Sequence, residues 1–296
     1  MRRHTTTLLA SFCAVALSCS LAGCGTSVNV SAPGQAEGPI MSIGVPIDEP
    51  GIAWYHDGEY SGLAVDVATY VAKVLGYGSK QLYFHAQTAD TRVQQVEQGT
   101  VDFTMINYSY DGGKDATAMK HTRSVDGTTL EVSGPYLVAR NQLLVRADDA
   151  GKLTDLNDLD GKTVCTVQGD YAGEQLHADH PNIAMERRAD FGQCTSSLMV
   201  GQSDAIAASR PVLAGLRKTG GEQDLHLQGK TYGIQAFGIA VKAGQSELVN
   251  LIDTALQQMV DDGSWDKMVD DMERDLGVDV SLQLNPVRVA KSHDVA

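Results

Sequence analysis

Alternating strand and helix patterns mark this chain as an α/β protein. Between positions 41 and 106, short apolar runs alternate with segments of helical periodicity. A second alternation of the same kind begins at Gln142. Two amphipathic helices then follow, and no internal repeat of fixed period is present.

Residues 41–47 interleave apolar with small side chains and read as a strand, ended by Pro46 and Pro50. Over 62–75, Leu63, Val67, Tyr70, Val71, Val74 and Leu75 share one helical face, which Gly76 stops. Residues 82–84 form a strand, 91–98 a short helix closed by Gly99, and 101–106 another strand. This βαβαβ order argues for a parallel sheet covered by helices. The second set holds strands at 142–145, 162–167 and 205–208, with a short helix at 173–178. Ser246 is expected to cap a helix whose core face is Leu248, Ile252, Ala255, Leu256 and Met259. Ser264 is expected to cap the next, which Gly277 ends. Residues 279–296 read as an irregular tail.

Ahead of the first strand, Arg2 and Arg3 precede an apolar stretch over 8–21, followed by Leu21-Ala22-Gly23-Cys24. A charged start, an apolar middle and small residues at the cleavage point describe a secretory signal. The stretch is too short for a membrane span, which needs ~20 apolar residues. A cysteine at this place resembles the lipobox of bacterial lipoproteins, in which the thiol is acylated and becomes the first mature residue. The resemblance implies removal of residues 1–23, lipidation of Cys24, and an extracytoplasmic protein held at the cell membrane by its lipid. Residues 24–39, rich in Ser, Gly and Pro, read as a flexible tether.

The chain carries a formal charge of −14; losing Arg2 and Arg3 with the signal makes that −16. Such an acidic balance argues against nucleic acid or an anionic surface as partner. Of five cysteines, Cys13 and Cys19 leave with the signal and Cys24 takes lipid. Cys165 and Cys194 remain, an even pair in an oxidising compartment. A bridge between them would close a ~30-residue loop and stabilise by about 3.5 kcal/mol on the chain-entropy account. No His-Glu-x-x-His, P-loop or Gly-x-Ser-x-Gly motif is present. His177 and His180 have metal-ligand chemistry but lack a third partner. Neither catalysis, nor a metal, nor a cofactor is expected.

Several runs resemble, in order, the solute-binding proteins of ABC importers for polar amino acids (solute-binding family 3), with actinobacterial glutamate-binding lipoproteins nearest. They include Asp48-Glu49-Pro50-Gly51, Gly62-Leu63-Ala64-Val65-Asp66-Val67, Gly99-Thr100-Val101-Asp102-Phe103 and Gly134-Pro135-Tyr136. Further on come Asp155-Leu156-Asn157-Asp158-Leu159, Cys165, Cys194, Gln202-Ser203-Asp204-Ala205, Tyr232-Gly233-Ile234 and Asp262-Gly263-Ser264. The resemblance covers residues 40–277. It implies a two-lobed type II periplasmic-binding-protein-like fold with a ligand cleft between lobes. Lobe 1 would hold 40–138 with 233–278 and lobe 2 would hold 139–232, joined by two hinge strands. It also implies a monomer that delivers a small polar solute, such as glutamate or glutamine, to an ABC permease. A ligand-sensing lipoprotein and a dehydratase-like enzyme on the same fold are the alternatives.

Such a cleft must meet both a carboxylate and an ammonium. Tyr108 and Ser109 match the family's carboxylate motif, but Lys114 stands where its arginine is expected, and the register leaves Arg123 as the alternative. A lysine pairs a carboxylate only as a point charge, without the bidentate fork. In lobe 2 the anion loop reads Gly169-Asp170-Tyr171, and the family's ammonium-binding aspartate falls on Ser209, followed by Arg210. The expectation is an exchange of roles: Asp170 takes the ammonium and Arg210 a carboxylate. Arg92 matches an arginine of the glutamate binders, which implies a contact to a side-chain carboxylate of the ligand. Trp54 and Tyr55, after the first strand, are candidate aromatic walls.

Overall fold

The computed structural model describes residues 29–32, 35–37, 40–110, 122–125, 127–280 and 284–285. Cys24 and Lys114 lie outside them, and for Arg123 only the backbone is described. Within the expected tether, Asn29–Ala32 (β1) pairs antiparallel with Gln35–Glu37 (β2). A two-stranded ladder of this length is marginal on its own in water.

Met41–Pro46 (β3) leads into a small antiparallel sheet of Asp48–Glu49 (β4), Ala53–His56 (β5) and Glu59–Ser61 (β6). Helix Leu63–Val74 (α1) then buries Leu63, Val67, Ala68, Val71 and Ala72. Leu82–Gln87 (β7), Arg92–Glu97 (α2) and Phe103–Ser109 (β8) complete the first βαβαβ set. Thr122–Val125 (β9) pairs with the start of Thr128–Arg146 (β10), a strand of 19 residues. Thr163–Val167 (β11), Tyr171–Asp179 (α3), Ala184–Arg188 (β12) and Phe191–Met199 (α4) follow. Next are Ala205–Ser209 (β13), Arg210–Gly220 (α5), Leu225–Leu227 (β14) and Tyr232–Lys242 (β15). Ser246–Asp261 (α6) and Ser264–Leu276 (α7) end the regular structure.

The main sheet runs in the order β12-β11-β13-β10-β15-β8-β3-β7. Its outer pairs are parallel: β3 with β7 and β8, and β11 with β12 and β13. Its middle is antiparallel, because β10 and β15 pair over most of their length and each pairs antiparallel with its outer neighbour. The sheet is therefore mixed, where the local βαβ pattern alone had suggested an all-parallel one. These two long strands join the halves in a two-lobed α/β fold.

The two expected serine caps are corrected. α6 begins after Gln245, and the Ser246 hydroxyl instead donates 3.1 Å to Glu131 on β10. At α7 the capping position is Gly263, whose φ of 78° suits glycine, and Ser264 lies inside the helix. In the tail, Asn285 is buried; its Nδ2 donates to the Val138 carbonyl at 2.8 Å and its Oδ1 accepts from the Val138 amide at 3.0 Å. That residue is docked on β10 without belonging to a strand.

Cys165 on β11 and Cys194 on α4 form a disulfide, with their Cα atoms 5.5 Å apart. Both are fully buried in the apolar core beside Phe191, Leu198 and Ile206. The bridge fixes α4 to the sheet of the second half.

Candidate functional site

Strand ends from both halves converge on a small cavity. Its first-half wall is Pro46, Asp48, Glu49, Gln87, Thr88, Ala89, Arg92 and Asn107; the second half supplies Val167, Asp170 and Phe191. The cavity measures about 20 Å³, room for about one water and far too small for an amino acid. The halves close on each other around it. The Phe191 amide donates 2.9 Å to Asp48 Oδ2, and Lys218 on α5 donates 2.9 Å to the Asp275 carbonyl on α7. At Gly215, a Cβ would lie 1.8 Å from the Pro50 carbonyl oxygen, so only glycine permits this approach of α5 to the turn after β4.

Arg92 opens α2 and is only 5% exposed. Its Nη1 donates 2.6 Å to Asn107 Oδ1 and its Nη2 donates 3.1 Å across the cleft to the Gly169 carbonyl. Gly169 makes the turn after β11 at a φ of 81°. Asp170 caps α3, accepting 2.9 Å from the Ala172 amide at Oδ1 and 3.0 Å from Asn107 Nδ2 at Oδ2. Asn107 also donates 3.1 Å to Gln235 Oε1 on β15, while Gln235 Nε2 is buried with no partner among the described residues.

Burial dominates the electrostatics here. It pushes the Asp170 carboxyl up to about 6, against the pull of the Ala172 amide, the Arg92 charge and Asn107. Glu49 is raised well above the carboxylate range by burial first, then by the charges of Asp48 and Asp170, with Arg92 opposing. Asp48 is raised by burial, only partly offset by the Phe191 amide. Three carboxyls that burial disfavours as anions thus line one cavity with a single guanidinium among the described residues.

The sequence and the two-lobed α/β fold are matched by known proteins. The model of the bacterial extracellular solute-binding proteins, family 3, covers residues 41–272. The chain belongs to that family. It is 26% identical over 279 residues to the glutamate-binding protein GluB of Corynebacterium efficiens, covering 90% of each chain. It is also 26% identical to the glutamine-binding protein GlnH of the ABC transporter of Bacillus subtilis, over 71% of this chain and 72% of that one. The solved structure of an amino acid ABC transporter substrate-binding protein, AbpA of Streptococcus pneumoniae bound to L-arginine, superposes with a TM-score of 0.67. The likeness covers 80% of this chain and 96% of that one at 20% identity and speaks to the fold.

Of the sequence candidates, the structure brings Arg92, Gly169 and Asp170 together at this cavity. Tyr171 follows on α3 and packs, half-buried, against the apolar cluster that includes Tyr108, which is buried on β8. Ser109 is exposed at the end of β8, in register with Gln235. Ser209 is fully buried at the end of β13, its hydroxyl without a partner among the described residues. Arg210 is elsewhere: it lines a separate groove with Ala139, Arg140, Pro211, Asp279 and Val280. Arg210 therefore does not line the cavity that holds Asp170, because α5 starts on the Arg140 side of the sheet. Trp54 and Tyr55 do not line the cavity either. Trp54 stacks on His56 at 4.4 Å between centroids, and Tyr55 packs on Tyr60 at 4.7 Å, both on the small sheet.

Sequence reasoning gave no role to Asp48, Glu49, Asn107, Phe191 or Gln235. Asp48-Glu49 sat in a quoted family run, and Asn107 directly precedes Tyr108; those were the available signals.

Proposed function

We propose that this protein is a non-enzymatic receptor that captures a small polar amino acid outside the cytoplasm and hands it to an ABC permease. One observation carries the reading: a buried guanidinium from one half and a buried carboxylate from the other face each other across a closed cavity. Their bonds to each other's neighbours have the polarity that an amino acid would replace. On opening, Arg92 releases the Gly169 carbonyl and takes the ligand's carboxylate; Asp170 exchanges Asn107 for the ligand's ammonium. Closure about β10 and β15 then buries the ligand, and the permease reads the closed form. The glutamate- and glutamine-binding relatives support an amino-acid ligand.

In this reading the lobes are 40–138 with 233–278, and 139–232, and Lys114 or Arg123 also serves the ligand's carboxylate. Cys24 carries the lipid, and the chain works as a monomer. Ligand that binds only the native state raises stability by RT ln(1 + [L]/Kd). A thermal-shift panel of the twenty amino acids should therefore single out at least one. Flat melting temperatures across millimolar concentrations of all twenty would sink the proposal. Cys24→Ser should release the protein from the membrane fraction or leave its signal uncleaved; normal processing with retained membrane association would remove the anchor from the account.

A further inference from the structure

Glu49 stands out among the cavity residues because nothing in the reading above uses it. It is 9% exposed, lines the cavity, and its carboxyl has no hydrogen-bond partner among the described residues. A buried carboxylate without partners is costly, and structures normally satisfy such a group. The other charged groups of the cavity are already engaged. Asp48 accepts from the Phe191 amide, and Asp170 accepts from Ala172 and Asn107. Arg92 is committed to Asn107 and Gly169, and in the ligand-bound form it meets a carboxylate.

An α-amino acid brings one negative and one positive charge. Set on Arg92 and Asp170, it brings Glu49 no donor from the described residues. A side-chain carboxylate would add an anion beside two carboxyls that burial already disfavours as anions. A side-chain ammonium or guanidinium would pair with Glu49 and give it the donor it lacks. Phe191, Val167 and Ala89 offer apolar wall for the methylenes between the two ends.

We infer that Glu49 receives a second cationic group of the ligand, so that the cavity selects amino acids with basic side chains over dicarboxylic ones. The inference rests on the solute-binding reading and narrows it. It departs from the name of the glutamate-binding relative, which is 26% identical.

The test is calorimetric titration of the full processed protein with lysine, arginine, glutamine and glutamate at matched ionic strength. Lysine or arginine should bind at least tenfold more tightly than glutamine, with glutamate weakest. Glu49→Gln should cost the basic ligand at least tenfold while changing glutamine less than threefold. Glutamate or glutamine binding as tightly as the basic pair would overturn the inference and leave the solute-binding reading standing. Binding of none of the four, with a neutral amino acid active in the thermal panel, also overturns it. No amino acid active in either assay overturns both. The wild-type comparison decides even if Glu49→Gln fails to fold.

Discussion

Two places near the middle of the molecule gather arginine and acid, and they differ in an instructive way. The cavity at Arg92 measures about 20 Å³, whereas the groove at Arg210 measures about 230 Å³. Size alone favours the groove. Yet Arg140 and Asp279 there are exposed, and no buried carboxylate faces them among the described residues. At the cavity, Arg92, Glu49 and Asp170 are all at least nine-tenths buried. Desolvating three charges costs several kcal/mol unless something returns it. A closed cleft has little volume because it has closed; what survives closure is the burial of its charges. Charge burial, rather than room, is what favours the cavity as the candidate site.

The sharpest way to break this comparison is Arg92→Ala. If the cavity is the site, removing its cation should weaken ligand binding by about 2–5 kcal/mol, the cost of truncating a desolvated charge pair. Titration with whichever amino acid proves active reads this directly. A loss under about 1 kcal/mol would move the site away from Arg92.

The cavity wall at Phe191 and Val167 is also tied by the disulfide, since Cys194 shares α4 with Phe191 and Cys165 shares β11 with Val167. The bridge spans 29 positions. Replacing both cysteines by alanine should lower unfolding free energy by about 3.5 kcal/mol on the loop-entropy account, measured by urea titration. An unchanged midpoint would show that core packing holds α4 without the bond.

The third prediction uses the buried acids. The Asp170 carboxyl lies at about 6 in the folded protein against an ordinary 3.8. The native state therefore holds this proton more tightly than the unfolded chain. Stability from this group is greatest below pH 4, declines as pH rises from about 4 to about 6, and is flat above. The rise corresponds to roughly 3 kcal/mol. Glu49 and Asp48 are raised as well and slope the same way. Asp170→Asn keeps a capping side chain but cannot titrate, so it should flatten part of the slope in ligand-free denaturation curves across pH 4–7. Its absolute stability is not the readout, because an amide would then face the Asn107 amide. A variant slope identical to wild type would refute the assignment.

How much of this was legible in the sequence follows from range. The α/β class and helices such as α1 and α7 rest on local periodicity, which the chain displays openly. α5 was not anticipated, and its Gly215 admits Pro50, a contact 165 positions away. Ser246 read as a cap, yet its hydroxyl is drawn to Glu131. Glu49 was quoted but given no role, since an acid beside a turn reads as solvated surface. Its burial comes from the other half of the molecule, as the contact between Asp48 and Phe191, 143 positions apart, illustrates. Arg92 and Asp170 were legible as charged residues at helix starts. That they share one cavity was not, nor that Arg210 lines a separate groove.

The smallest expected effect closes the comparison from the other side. Arg210 is half-buried, its Nε has no partner among the described residues, and the groove it lines has Arg140 as a second cation. Truncating it removes a partly solvated like-charge neighbour and no bond that the structure gives it. Arg210→Ala should therefore change ligand affinity by less than about threefold and stability by within about 0.5 kcal/mol, as surface substitutions usually do. The same titration that exposes Arg92→Ala measures it. A loss comparable to that of Arg92→Ala would mean that the groove and the cavity become one site when the halves part. Arg210 would then swing in to meet the ligand's carboxylate, and the role that sequence reasoning gave it would belong to the open form.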